Sequence, residues 1–218
     1  MSHFGVSSDG MVSECRARVP GTYNCTHVRH MGSKREAIKA AEHLCKELYA
    51  AKDLFERKSF DYSHLNLQHF SKNAISDLNP SAPQDDRITD KPVGFWVSDE
   101  NEFGWKQWCE IEGFREESLS NCAKVSLKPD ANVLLISTEG ELREFDARFG
   151  ELDDDETWRA MGLSRRMIRW DKVAELYDGI IISPYQSGTR MDIQWYYSWD
   201  VASGCIWNSD AMDISYEP

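Results

Sequence analysis

Two thiols and two imidazoles lie close together near the start of the chain, in the segment ECRARVPGTYNCTHVRH: Cys15, Cys25, His27 and His30. Four such donors can complete a tetrahedral zinc site. Nine residues separate the first pair, however, where common fingers use two to four. We therefore read these side chains as satisfied polar groups that dock an N-terminal arm, and assign no metal. The second chemical resource is tryptophan, with eight in 218 residues. The indole ring offers a flat stacking face, so clusters of it mark either cores or sites that grip planar ligands. Trp96 sits in GFWVS, and Trp105 and Trp108 sit in NEFGWKQWCEIEGF. Read as an extended strand, DIQWYYSWDV puts Trp195, Tyr197 and Trp199 on one face. Gln194, Tyr196, Ser198 and Asp200 fall on the other, more polar face, which suits a cleft lining. Asp200 equally reads as a strand terminator or a cap of the turn toward Ser203-Gly204.

The elements that must position these residues follow from pattern. Residues 1–32 carry little periodicity and read as irregular. SKRE at Ser33–Glu36 is a capping box that opens a long amphipathic helix, with Ile38, Ala41, Leu44, Cys45, Leu48 and Phe55 on one stripe. LNLQHFS predicts a strand, KNAISDL a short helix, and NPSAPQDDRITDKP a turn-rich loop. GFWVS predicts a second strand, and the helix after it puts Trp105, Trp108 and Cys109 on one face. KVSLK and NVLLIS read as a strand pair around Pro129-Asp130. A helical region ends near Phe149, and another carries Trp170, Val173, Ala174 and Tyr177 inward. DGIIISPY, DIQWYYSWDV and GCIWN read as late strands. Irregular alternation with strands gathered late predicts an α+β fold, with an arm and helix over residues 1–58 and a domain over 59–218. Neither a GxGxxG nor a P-loop is present, which disfavours two common nucleotide folds.

From Leu67 to Phe114 the chain resembles the first half of an ADP-ribosyltransferase domain of the diphtheria-toxin and poly-ADP-ribose-polymerase kind. In that family a strand ends in His, a small residue and Thr or Ser. A short helix and a variable loop follow, then a strand reading Gly-Phe-Tyr-Ser-Thr or similar, then a helix with a second aromatic. Here stand Gln68-His69-Phe70-Ser71, AISDL, Gly94-Phe95-Trp96-Val97-Ser98-Asp99, and the helix with Trp105 and Trp108. Trp96 takes the place of the family's stacking Tyr. Tyr177-Asp178-Gly179-Ile180 resembles the segment before the family's last catalytic strand, so the resemblance spans roughly residues 60–210.

That resemblance implies split mixed or antiparallel sheets with flanking helices, and NAD as substrate. The residues it assigns to NAD are His69, Phe70, Ser71, Phe95, Trp96, Ser98, Trp105 and Trp108. Nicotinamide is a flat cationic ring, best held between aromatic faces. His69 would bond the adenine-side ribose, and Ser71 or Ser98 would fix hydroxyls or the carboxamide. Cleavage of the glycosidic bond develops oxocarbenium character, so a carboxylate belongs near the nicotinamide ribose. The family's last strand supplies a Glu; here Ile193–Asp200 contains none. Gln194 occupies the nearest aligned position, Asp192 or Asp200 can stand in, and Asp200 is preferred, giving His69, Asp200 and Gln194 as the catalytic set. The implied activity is mono-ADP-ribosyl transfer to a protein or other acceptor, or NAD hydrolysis, as in a toxin or phage effector. The alternative is a catalytically inactive module that binds NAD or ADP-ribose, or a phage or defence interaction protein.

Net charge is −12 and the isoelectric point about 4.9. Such a surface repels phosphate backbones, which argues against general nucleic-acid or anionic-membrane binding and against an RNA 2′-phosphotransferase of the same fold. The acidic run Glu139–Glu156 reads as a solvated helix entering a loop. No apolar stretch reaches membrane-spanning length and no signal-peptide pattern opens the chain. The six cysteines are scattered, which predicts reduced, mostly buried thiols and a cytoplasmic address.

Overall fold

The structure, a computed structural model, describes residues 2–6, 11–19, 22–30, 35–42, 54–57, 59–75, 78, 81–153, 160 and 165–216. They form two compact units, one of Met1–Glu56 with Thr138–Glu144 and one of Arg57–Ser137 with Phe145–Pro218.

In the first unit, β1 (Ser2–Val6), β2 (Met11–Val19) and β3 (Thr22–His30) form an antiparallel sheet in the order β1-β2-β3. This corrects the expectation of an irregular arm. The ladder sets Cys15 opposite Cys25 and His27 opposite Ser13, and over these strands the backbone alone is described. Among the described residues no three potential metal ligands gather. Helix α1 covers residues 35–42 and buries Ala37 and Ala41, one turn apart. Ile38, expected on the inner stripe, is exposed, while Leu44, Cys45 and Leu48 lie outside the described residues. Leu54–Glu56 is a 3-10 turn with Leu54 buried.

The second unit is α+β, built on a curled mixed sheet with few helices. Its strands are β4 (Leu67–Ser71), β5 (Phe95–Asp99), β6 (Asn121–Leu127), β7 (Val133–Ile136), β10 (Gly179–Ile182), β11 (Ser203–Ile206) and β12 (Met212–Tyr216). The order is β12-β6-β4-β5-β11-β10-β7, antiparallel throughout except for the β10–β7 pair. β6 and β7 are thus not the expected pair. β7 lies at the far edge, buried along its whole length and parallel to β10.

Strand alternation separates two apolar faces. One carries Leu67, Val97, Val125, Val133, Leu135, Ile181 and Ile206 as a single cluster. The other places Leu134, Ile136, Ile180 and Ile182 on the side that carries Trp96. A series of aromatic contacts runs from Trp170 to Trp195 (5.8 Å), on to Trp199 (6.1 Å) and then to Trp96 (5.0 Å). Trp170, Trp195 and Trp199 are buried, and aromatic pairs at these separations add to the gain from area alone.

The remaining elements are α2 (Trp105–Glu112), α3 (Glu139–Phe149), a two-stranded ribbon of β8 (Gly150–Asp153) and β9 (Arg165–Ile168), and α4 (Trp170–Ala174). Three expectations fail here. Gln194–Ser198 is a 3-10 turn, not a strand, and it buries Trp195 and Tyr196 while leaving Tyr197 exposed. The acidic helix is no solvated face, since Glu141, Arg143 and Asp146 are buried. Residues 72–75 are irregular where a helix was expected, and part of that segment lies outside the described residues.

Candidate functional site

Beside the tryptophan series lies a cleft of about 370 Å³, lined by residues of β4, β5, α2 and the turn after Trp199. It forms where two strands part. β4 and β5 pair only at Leu67–Asp99 and Gln68–Ser98, after which β5 continues along β11. In the gap, His69 Nδ1 lies 2.6 Å from the carbonyl oxygen of Trp96, and the imidazole stacks on Phe95 at 4.3 Å. Burial lowers the His69 pKa below 6.5, partly offset by the bond to that carbonyl. The ring is therefore neutral at pH 7. It donates through Nδ1 and keeps the Nε2 lone pair as an acceptor.

Trp96, the next residue, extends from the opposite face of β5 and packs edge-on against Trp199. Lys91 Nζ stands 5.4 Å from the centre of its ring. The cleft thus already holds a cation against the indole, an attraction that strengthens as water is excluded. Ser98 is buried, lines the cleft and donates to the Glu100 carboxylate. Glu100 in turn packs under Gly104, the N-cap residue just before α2, where a Cβ would fall 2.7 Å from Glu100 Oε2. Trp105 lines the cleft with Trp108 stacked behind it at 5.0 Å. On the far wall, Asp200 accepts from Arg190 Nη2 at 2.7 Å.

Of the residues expected from sequence, His69, Phe70, Trp96, Ser98, Trp105 and Asp200 line this one cleft. Ser71, Phe95, Trp108 and Gln194 do not. Ser71 Oγ donates to the carbonyl of Asn73, Phe95 backs the His69 ring, and Trp108 lies behind Trp105. Gln194 Oε1 accepts from the Arg166 amide at 2.6 Å. Its 3-10 turn overturns the strand alternation that had set Gln194 and Asp200 on one face.

Comparison with known protein families, with curated proteins and with solved structures finds no match to the chain.

The cleft also holds residues that sequence reading passed over. Lys91 and Arg115 both line it, from the loop before β5 and from the turn after α2. Arg115 adopts the left-handed region at φ 47°, an uncommon conformation for a residue with a side chain. Lone cations in loops carry no spacing signal; only the fold brings them together. Asp200 is the one carboxylate lining the cleft among the described residues, with Glu100 one hydrogen bond behind it through Ser98.

Proposed function

We propose that this cleft binds NAD, and that the protein is an NAD-dependent ADP-ribosyltransferase or NAD glycohydrolase with an ADP-ribosyltransferase-like arrangement of its sheet. One observation carries the reading. In a chain of net charge −12, Lys91 and Arg115 meet Trp96, Trp105, His69 and Asp200 in a single cleft. A ligand suited to that lining combines flat rings, hydroxyls and phosphate, which are the parts of a dinucleotide. The volume also falls within the ordinary range for small-molecule sites.

In this reading the cationic nicotinamide takes the Trp96 face now occupied by Lys91, and the displaced ammonium meets the diphosphate together with Arg115. His69 Nε2 accepts a ribose hydroxyl. As the glycosidic C–N bond breaks, nicotinamide leaves with the bonding electron pair and positive charge develops on the ribose. Asp200, oriented by Arg190, stabilises that charge electrostatically. Water or an acceptor side chain then bonds to the same carbon and loses its proton to solvent or to Asp200.

A second reading, a module that binds NAD without consuming it, has its own support. Asp200 is already paired with Arg190, and no Glu lines the cleft among the described residues. Following nicotinamide release for the parent protein and for Asp200→Asn separates the two. The catalytic reading expects turnover by the parent and a loss of at least about tenfold in the variant, or 1.4 kcal/mol, with NAD affinity nearly intact. Binding without release by the parent favours the second reading, and equal rates for parent and variant remove Asp200 from the chemistry.

A further inference from the structure

We propose that the outer face of α2 and the turn after it form a docking ledge for a basic, partly apolar segment of a partner protein, delivered to the mouth of the cleft. The ledge begins inside the cleft, at Trp105 and Arg115, and continues outward. Trp105, Trp108 and Phe114 form one aromatic cluster, with Phe114 edge-on to both indoles at 6.1 and 5.4 Å. Beyond it, Ile111 is 64% exposed and Phe114 41%, so this helix presents apolar surface to solvent. Uncovered apolar side chains next to an aromatic cluster offer a seat for a partner's apolar groups.

Charge selects the occupant. Residues 100–119 carry six glutamates against Lys106 and Arg115. Glu110 and Glu112 lie in the last turn of α2, which contains no basic residue. A helix C-terminus carries partial negative charge and favours cations there, so these two carboxylates oppose the stability of their own helix. Burial, and then the field of Glu100, Glu110 and Glu116, push the Cys109 thiol up from its ordinary value. A cationic partner offsets the carboxylate field and the conflict at the helix end together. The rings take guanidinium groups as well: the Arg115 guanidinium already lies 5.2 Å from the centre of Phe114. Nucleic acid, an anionic bilayer or a second copy of this chain would each bring like charge to the same surface.

The docking itself is independent of the proposed chemistry. If the cleft does consume NAD, the docked segment is the acceptor, and that corollary alone rests on the NAD reading.

The test uses a fluorescein-labelled peptide of alternating arginine and leucine, with a glutamate–leucine peptide and a single-stranded oligonucleotide as comparisons. Binding is followed by fluorescence anisotropy at about 0.15 M ionic strength, where distant charges are screened. Two charge-reversed proteins of equal net charge are compared with the parent: Glu110→Lys with Glu112→Lys and Glu116→Lys, and Asp130→Lys with Asp210→Lys and Asp213→Lys. The expected result is binding of the basic peptide alone. Affinity falls at least about tenfold in the α2 triple variant and within about twofold of the parent in the distal one. Ile111→Ser weakens the same peptide, and NAD titrations of the α2 triple variant match the parent. Equal losses in the two triple variants would reduce the effect to net charge and overturn the proposal. So would binding of the acidic peptide or the oligonucleotide, no binding by a folded parent protein, or a dimer in sedimentation that Ile111→Ser dissolves.

Discussion

His69 is held by two contacts with different consequences. The Trp96 carbonyl fixes which nitrogen carries the proton, and the stack on Phe95 fixes the plane of the ring. Because burial lowers its pKa below 6.5, the unfolded chain takes up a proton before the folded one does. The contribution to stability is therefore fully present above pH 6.5 and is lost as pH falls through the lowered folded value. The Nε2 acceptor persists over the same range. NAD affinity is expected to stay flat from about pH 8 to pH 6.5 and to weaken only below. A midpoint above 6.5 in the affinity profile would contradict this assignment. Ser98 offers a second test at the same scale. Gly104→Ala would place a methyl against the Glu100 carboxylate, a flexible group that can swing away, so the fold survives. What is lost is the Ser98–Glu100 bond, worth about 1.5–3 kcal/mol because its acceptor is a carboxylate. The expected outcome is a modest fall in melting temperature with a measurable change in NAD affinity; an unchanged affinity would remove Ser98 from the site.

Among the elements, the 3-10 turn Gln194–Ser198 matters most, because it carries the chain from the buried tryptophans to Asp200. It is secured from below. Trp195 Nε1 donates to Asp146 Oδ1 at 3.2 Å, and Arg166 closes on the same carboxylate at 3.0 Å. Asp146→Ala removes the acceptor from both and should cost about 3 kcal/mol by urea unfolding, well beyond the effect of an exposed ion pair. A loss under about 1 kcal/mol would show that this carboxylate does not anchor the turn. The turn also shows where sequence ceased to be a guide. DIQWYYSWDV is rich in β-forming aromatics and reads as a strand, and Ile193, Trp195, Trp199 and Val201 are buried at even spacing; the alternation breaks inside the 3-10 turn, where Tyr196 is buried and Tyr197 exposed. β4, β5, α2, β10 and β11 were legible, because each has a local signal: an apolar run, an alternation or a glycine entry. β6 and β7 were legible as strands but not as non-partners. The Pro129-Asp130 turn signal is local, whereas the β7–β10 pairing is decided by residues more than forty positions away. In β2, Cys15, Ala17 and Val19 alternate with Glu14, Arg16 and Arg18, a period-two signal that the charged residues obscured. At the site, the aromatic and histidine positions were visible, whereas Lys91, Arg115 and Glu100 were not. Their role depends on which loops converge.

At the scale of the whole molecule, no helix among the described residues is long and apolar enough to cross a membrane. Among the described residues Cys109 and Cys205 are buried, and burial pushes both thiols up, while Cys122 is exposed and donates to Gln68 Oε1 at 3.0 Å. Under native conditions a thiol reagent should therefore label Cys122 well before Cys109 or Cys205, as peptide mapping would report. Early labelling of Cys205, which lies in the central sheet opposite Trp96, would show that the sheet opens. That same sheet carries the proposed nucleotide site, where β4 and β5 part. Calorimetric titration of NAD into the protein, with tryptophan fluorescence read on the same sample, tests it most directly. The expected result is a single site with quenched fluorescence, weakened by about 1–3 kcal/mol in Trp96→Ala, the range for stacking a base on an aromatic side chain. Neither heat nor quenching at millimolar NAD, from a protein that melts cooperatively, would contradict it.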